Sequence, residues 1–131
     1  MCVVHVSSAH KFGSAFNISS DFPHLGHVWQ RVCNAQVEGI QFMWKHIGTL
    51  TEKKVGGCIL AHSMGLGKSL QVCALIHAFC KRQEALKKEG VVEASARVML
   101  VVPSTLIDNW QAEFRKWVNK PSVGSEVKVY M

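Results

Sequence analysis

The amino-acid sequence predicts an α/β fold built on a parallel sheet. An apolar run that includes Ile59 and Leu60 breaks at a glycine-lysine-serine turn and resumes at residues 70–76. A second, continuous apolar run at residues 98–102 is stopped by Pro103, as is typical of a parallel strand that is covered on both faces. Strands that alternate with helices in this way favour a parallel sheet with right-handed crossovers.

The first element predicted with a clear period is a helix. Residues 1–30 show no helical or strand period, and we expect them to form a solvated lead-in. From Ala35 onward, apolar residues recur at steps of three and four, which predicts an amphipathic helix that packs on the sheet. The apolar residues of this helix are Val37, Ile40, Met43, Trp44 and Ile47.

Residues 58–69 have the pattern of a phosphate-binding loop. A short buried strand is expected before the loop, and Gly65 and Gly67 allow the backbone to curl. The next helix then begins with free N–H groups that can hold an anion. Lys68 can reach phosphate oxygens, and the Ser69 hydroxyl can ligate the magnesium ion that accompanies a nucleotide.

The match to the phosphate-loop consensus is incomplete, because His62 stands where the consensus has a glycine. The alternative is a glycine-rich turn between a strand and a helix that binds nothing. The apolar run before the turn, the helical pattern after it and the Lys-Ser pair in register favour nucleotide binding.

Two further helices and a last strand complete the predicted order. The helix that begins at Lys68 is predicted to reach Arg82. Its inward residues are predicted to be Val72, Ile76, Phe79 and Cys80. Thr105 and Asp108 have the spacing of a capping box and predict the start of another amphipathic helix. The apolar residues of that helix are Leu106, Trp110, Phe114 and Trp117. Residues 126–131 alternate weakly and predict a third strand.

The composition limits the compartment and the partners. The chain has 131 residues and a formal charge of +6, which suits a polyanionic partner without specifying DNA. Its five cysteines form no C-x-x-C pair, so they predict free thiols in a reducing, intracellular compartment and no metal site. The longest apolar runs are far shorter than the roughly 18 residues of a membrane span, so no membrane partner is expected.

Three segments in order carry a resemblance to a known family. Residues 57–72, with Gly-Leu-Gly-Lys-Ser near their centre, resemble motif I of the Swi/Snf-type chromatin-remodelling ATPases of helicase superfamily 2. Most of that family has two acidic residues where this chain has His62 and Ser63, and this pair resembles the ATRX-like branch. Residues 36–44 are similar to the adenine-reading segment of the family, and residues 102–117 resemble its motif Ia.

The resemblance implies a fold and a cellular role. It implies that residues 31–131 are the N-terminal part of the first motor lobe, an incomplete three-layer parallel sheet of the RecA-like type, preceded by the lead-in of residues 1–30. It further implies an ATP- and Mg²⁺-dependent enzyme that acts on double-stranded DNA or chromatin in the nucleus. In the full-length protein, ATP hydrolysis would be coupled to DNA translocation.

The resemblance also implies roles for individual residues. Gln36 would hydrogen-bond the adenine edge, Lys68 would hold the phosphates and take part in catalysis, and Ser69 would bind magnesium. Thr105 would contact the DNA backbone. The complete set implied for nucleotide binding is Gln36, Met64, Gly65, Leu66, Gly67, Lys68 and Ser69.

The chain also departs from the family pattern. Asn34 and Ala35 stand where the family has a proline and an aromatic residue or histidine, so the stacking on adenine is expected to differ. The sequence contains no Asp-Glu pair, which this family uses to hold magnesium and orient water, and it contains no second lobe. The chain alone is therefore expected not to hydrolyse ATP.

Two alternatives to the remodeller interpretation remain. One is a short nucleotide- or DNA-binding module that acts without turnover. The other is a small phosphate-loop kinase, but the sequence lacks an Arg-rich segment that could serve as a lid, and a kinase leaves the motif Ia segment unexplained.

Overall fold

The computed structural model describes residues 3–7, 32–47, 57–90 and 97–118. These residues form two strands, three α-helices and one short 3-10 helix. The strands are β1, Val3–Ser7, and β2, Arg97–Val101. The α-helices are α1, Asn34–Ile47, α2, Lys68–Lys88, and α3, Ile107–Trp117, and the 3-10 helix Ser104–Leu106 precedes α3. Within the described ranges, no helix has both the length and the apolar composition that a membrane crossing requires.

Helix α2 lies at the centre of the core. Every residue from 70 to 79 is buried, including Gln71 and His77. One part of the α2 surface packs on α1 and another packs on α3 and the residue that follows it. The partners of α2 in these contacts are Ile40, Met43, Trp44, Phe114 and Val118. The predicted single inward face of α2 was therefore too narrow, because a helix with neighbours on several sides is apolar almost all round.

The helical predictions are otherwise close to the structure. Helix α1 begins at Asn34, one residue before the predicted start, and its apolar residues Ile40, Met43 and Trp44 are buried. Helix α2 begins at Lys68 as predicted but continues to Lys88. The helix was predicted to end at Arg82, where charged residues of both signs follow, yet side chains of opposite sign can stabilise a solvated helical turn. Lys81 and Glu84 form such a pair, with 3.3 Å between Nζ and Oε2.

The described strands do not form the predicted parallel sheet. Strands β1 and β2 pair antiparallel, with Val3 opposite Val101 and Ser7 opposite Arg97. The predicted strand before the glycine-lysine-serine turn is also wrong, because residues 57–63 pair with no described strand and Ile59 is 86% exposed. An apolar run indicates burial, but it does not specify the neighbour or the direction of pairing.

Strand β2 is covered on one face only, so the prediction of a strand buried on both faces is wrong. Val98 and Leu100 pack against the helices, whereas Met99 and Val101 are 58% and 50% exposed. This alternation is typical of an antiparallel strand with one solvated face. The strand predicted at residues 126–131 lies outside the described residues.

The start of α3 differs from the predicted capping box. Leu106 is the residue that precedes α3, and no described side chain caps the helix there. Instead, the 3-10 helix leads into α3, and the Leu106 N–H donates to Pro103 O at 2.9 Å. Backbone groups thus satisfy part of the helix start without the Thr105 hydroxyl. Phe114 is buried as predicted, whereas Trp110 and Trp117 are half-buried.

Candidate functional site

The Gly-Lys-Ser loop, residues 62–69, contains the turn before α2 and the first two residues of that helix. Gly65 and Gly67 have φ values of 86° and 67°, in the left-handed region that glycine adopts without strain. Gly67 is the residue that precedes α2, and no described side chain caps the helix there. Its carbonyl accepts the first backbone bond of the helix, from Gln71 N at 3.0 Å. The amide groups of the first turn of α2 are therefore free of a side-chain acceptor.

Lys68 holds the two ends of the loop close together. Its Nζ donates to the carbonyl oxygens of His62 and Ser63, at 2.8 Å each. An ammonium group has three donors, so one N–H remains for another acceptor. No acidic residue lies in the first turn of α2, and the positive charge of Lys68 adds to the positive end of the helix dipole. This end of α2 is suited to a negatively charged ligand.

Gln36 reaches the same loop from α1. Its Nε2 donates to Leu66 O at 3.1 Å, although the two residues are thirty positions apart in the chain. Its Oε1 accepts a hydrogen bond of 3.2 Å from Cys33 N. A Cβ added to Gly67 would lie 2.5 Å from Gln36 Nε2, so a side chain there would displace the Gln36 amide. The structure thus brings together Gln36 and the loop that the resemblance assigned to one nucleotide site.

A second glutamine, absent from the predicted site, also bonds the loop. Gln71 on α2 is fully buried, and its Nε2 lies 3.1 Å from Leu66 O and 3.2 Å from His62 Nδ1. Because an amide nitrogen only donates, His62 Nδ1 is the acceptor in this contact. A sequence signal existed, since Gln71 is the one polar residue within the apolar run 70–76.

The remaining predicted site residues differ in exposure. Met64 and Leu66 are 96% and 41% exposed, and Gly65 is exposed beside them. Ser69 is half-buried in the first turn of α2. Thr105 is exposed in the 3-10 helix after β2, and among the described residues no hydrogen bond joins it to the Gly-Lys-Ser loop.

Two thiols near the helical core have raised pKa values. Burial raises the pKa of the Cys58 thiol, which lies four residues before the loop. Burial raises the pKa of Cys80 to about 11, and the nearby charge of Glu84 adds to the effect. Both residues are thiols rather than thiolates near neutral pH, so neither is suited to act as a nucleophile.

A comparison with known families identifies the chain. A model of the SNF2-related domain matches residues 35–129. The chain belongs to the SNF2-related family. The matched region includes the three segments on which the predicted resemblance rests, and relatives named ATRX are among the similar proteins, so the predicted membership is confirmed.

Curated relatives are similar over the same part of the chain. The transcriptional regulator ATRX homolog of Drosophila melanogaster is 37% identical over 99 residues, which are 72% of this chain and 7% of the relative. The DNA repair protein rhp54 of Schizosaccharomyces pombe is 34% identical over 88 residues, which are 67% of this chain and 10% of the relative. The ATRX homolog of Caenorhabditis elegans is 42% identical over 87 residues, which are 63% of this chain and 6% of the relative. The chain thus spans a tenth or less of each of these relatives, and no solved structure was found to match it.

Proposed function

We propose that this chain is the ATP-binding part of a DNA-dependent ATPase of helicase superfamily 2, in which ATP hydrolysis drives translocation along DNA in chromatin. Residues 31–131 would belong to the first RecA-like lobe of a nuclear protein. Residues 1–30 would precede the lobe, but they are more than the solvated lead-in that the sequence predicted, because their strand β1 pairs with β2. Membership of the SNF2-related family supports this function. The observation that carries the proposal is that Gln36, Lys68 and the uncapped start of α2 meet at one glycine-containing loop.

The described residues fit a nucleotide phosphate group. The left-handed glycines Gly65 and Gly67 leave backbone N–H groups unobstructed by side chains, and the start of α2 offers further N–H groups. Lys68 supplies the positive charge. Magnesium, when bound with the nucleotide, would offset the negative charge of the phosphates, and the Ser69 hydroxyl is the side chain at the helix start that would ligate it.

Ligand binding would change the hydrogen-bond partners of Lys68 and use the free amide N–H of Gln36. Lys68 Nζ donates to two neutral carbonyl oxygens, and charge-assisted bonds to phosphate are stronger. We therefore expect phosphate to draw the ammonium group away from at least one carbonyl. Gln36 uses one of its two amide hydrogens on Leu66 O, so the other can donate to an adenine nitrogen.

Thr105 would contact the DNA backbone from the exposed 3-10 helix that precedes α3.

Binding without turnover is the expected behaviour of these 131 residues by themselves. The sequence contains no Asp-Glu pair that could hold magnesium and orient water. Charge stabilisation by an arginine finger alone contributes a factor of about 10³–10⁵ to phosphoryl transfer in enzymes that have one. Phosphate-release assays with and without DNA test this expectation. A DNA-stimulated turnover that disappears in Lys68→Ala would contradict it.

The test of nucleotide binding compares two lysines of the same helix. Lys68→Ala removes a charge-assisted contact of about 1.5–3 kcal/mol, which corresponds to a roughly 10- to 150-fold weaker binding of Mg·ATP. Lys87→Ala removes an exposed charge near the other end of α2 and is expected to leave affinity unchanged. Titration of nucleotide-free protein with a fluorescent ATP analogue measures both. Equal affinities for the parent and both variants would rule out nucleotide binding by this loop.

A further inference from the structure

Gln71 is a buried polar side chain in an otherwise apolar stretch of α2. Its exposed fraction is 0%, and its neighbours on the helix, Leu70 and Val72, belong to the core. Burial of an amide group is unfavourable unless hydrogen bonds replace its contacts with water. Gln71 makes such bonds only through its nitrogen, because Oε1 is buried without a hydrogen-bond partner among the described residues. The amide is therefore oriented by its hydrogen bonds to the loop and makes none to the described core residues.

The two glutamines at the loop use their donors differently. Both Gln36 Nε2 and Gln71 Nε2 donate to the same carbonyl oxygen, that of Leu66, at 3.1 Å each. Gln71 directs its second N–H to His62 Nδ1, so both of its donors are used within the loop. Gln36 retains one donor. Gln71 thus bonds both the first residue of the loop and the residue before Gly67, whereas Gln36 keeps the capacity to bond a ligand.

Helix α1 is adapted to the position of this amide. Gly39 lies in the interior of α1, where glycine is less favourable than alanine because its backbone is more flexible when unfolded. A Cβ built on Gly39 would collide with Gln71 Oε1 and approach His62 Cε1 to 3.1 Å. A buried amide with an unsatisfied oxygen and a helical glycine that makes room for it are both unfavourable for folding. Their combination indicates a positioning role.

We propose that Gln71 is a positioning residue for the phosphate group of the nucleotide. Its amide ties His62 to Leu66, and this sets the curvature of the loop before a ligand arrives and leaves Gln36 to contact the base. Gly39 allows the Gln71 amide to stay in this position, because a larger residue would collide with it. This inference rests on the proposed nucleotide-binding function. It adds Gln71 to the predicted site and gives the two glutamines different roles, since Gln71 orders the loop and Gln36 contacts the base.

The experiment measures the affinity for inorganic triphosphate, which contacts the phosphate site without a base. Isothermal titration is performed on the 131-residue chain, and the unfolding temperature of every variant is measured in parallel. Gln71→Ala is expected to weaken triphosphate binding about three- to tenfold, as for the loss of one net hydrogen bond. Gln83→Ala is the matched control, because Gln83 is a buried glutamine of the same helix twelve residues beyond Gln71. It is expected to change stability but not affinity.

A double-variant cycle separates positioning from general stability. Gly39→Ala alone is expected to displace the Gln71 amide and weaken triphosphate binding to a similar extent. In the Gln71→Ala background there is no amide to displace, so adding Gly39→Ala should weaken binding no further. If Gln71→Ala does not unfold cooperatively, Gln71→Met replaces it, because methionine keeps the length and has no donor.

The outcomes distinguish the inference from the function on which it rests. Parent-like affinity in Gln71→Ala together with a loss of affinity in Lys68→Ala would overturn the role of Gln71 and leave the nucleotide site intact. Parent-like affinity in Lys68→Ala would overturn the nucleotide site itself. Equal losses of affinity in Gln71→Ala and Gln83→Ala would mean that Gln71 acts only through stability, which also overturns the inference.

Discussion

The Gly-Lys-Ser loop and the segment of residues 103–106 both lead into a helix, but they are held in different ways. Side chains from two helices hold the loop, since Gln36 and Gln71 donate to Leu66 O. Local backbone bonds hold the second segment, where Leu106 N donates to Pro103 O at 2.9 Å. All four residues of that segment are exposed.

Because of this difference, we expect the two candidate functional segments to respond differently to substitution. The conformation of the loop depends on residues up to thirty positions away, so a change at its contacts is expected to alter both stability and ligand affinity. The 3-10 helix depends on its own backbone and on Pro103, whose φ of −56° is close to the value that the proline ring imposes. The exposed side chains of the 3-10 helix are therefore expected to be able to contact a partner without a role in stability.

The largest effect in this comparison is expected at Gly67. Gly67→Ala introduces a Cβ at a residue with φ of 67°, which costs about 1–2 kcal/mol, and adds a collision with Gln36 Nε2. We expect a loss of about 2–3 kcal/mol in the free energy of unfolding and weaker ATP binding. Urea unfolding and nucleotide titration measure the two effects.

Gly90→Ala is the matched control for Gly67. Gly90 has a φ of 72°, but a Cβ there would meet nothing within 4 Å. The control should therefore show the backbone strain alone, about 1–2 kcal/mol, with unchanged ATP affinity. Equal losses in stability and affinity for the two variants would mean that the contact between Gln36 and the loop has no measurable importance.

A smaller effect on the free energy of unfolding is expected at Cys80. Cys80 packs against both the cluster that includes α1 and the cluster that includes α3. Its pKa is raised from 9.0 to about 11 in the folded chain, so folding favours the neutral thiol. The stabilisation is complete below pH 9 and is lost as the pH rises through about 11.

Cys80→Ala tests this pH dependence. The free energy of unfolding of the parent should fall more steeply than that of the variant between pH 9 and 11, by about 1–2 kcal/mol over the range. Chemical denaturation at several pH values gives both curves. Parallel curves for the parent and Cys80→Ala would contradict the raised pKa.

The smallest effect on stability is expected at Thr105. Its hydroxyl makes no capping bond to α3, so Thr105→Val should change the free energy of unfolding by less than about 0.5 kcal/mol. In the full-length protein, the same change should lower DNA-stimulated ATPase activity and leave the DNA-free rate nearly unchanged. A loss of about 1 kcal/mol would indicate a capping role instead. Unaltered DNA stimulation would exclude a DNA contact at Thr105.

Local patterns in the sequence were sufficient to predict where α1 and α2 begin and where the Gly-Lys-Ser loop lies. The apolar spacing from Ala35 and the start at Lys68 are reproduced in α1 and α2, because a helix depends on residues three and four apart. Gly65 and Gly67 adopt the left-handed conformation that a curled loop needs, and this too is a property of single residues.

Contacts between distant segments account for what the sequence pattern did not reveal. The antiparallel pairing of β2 with β1 could not be deduced from an apolar run, because such a run is typical of buried parallel strands but does not identify the partner strand. Only the packing of α1 against α2 brings Gly39 beside Gln71 and places both glutamine amides on Leu66 O. A buried hydrogen bond depends on which groups meet in space, and for Gln71 that meeting involves three separate segments of the chain.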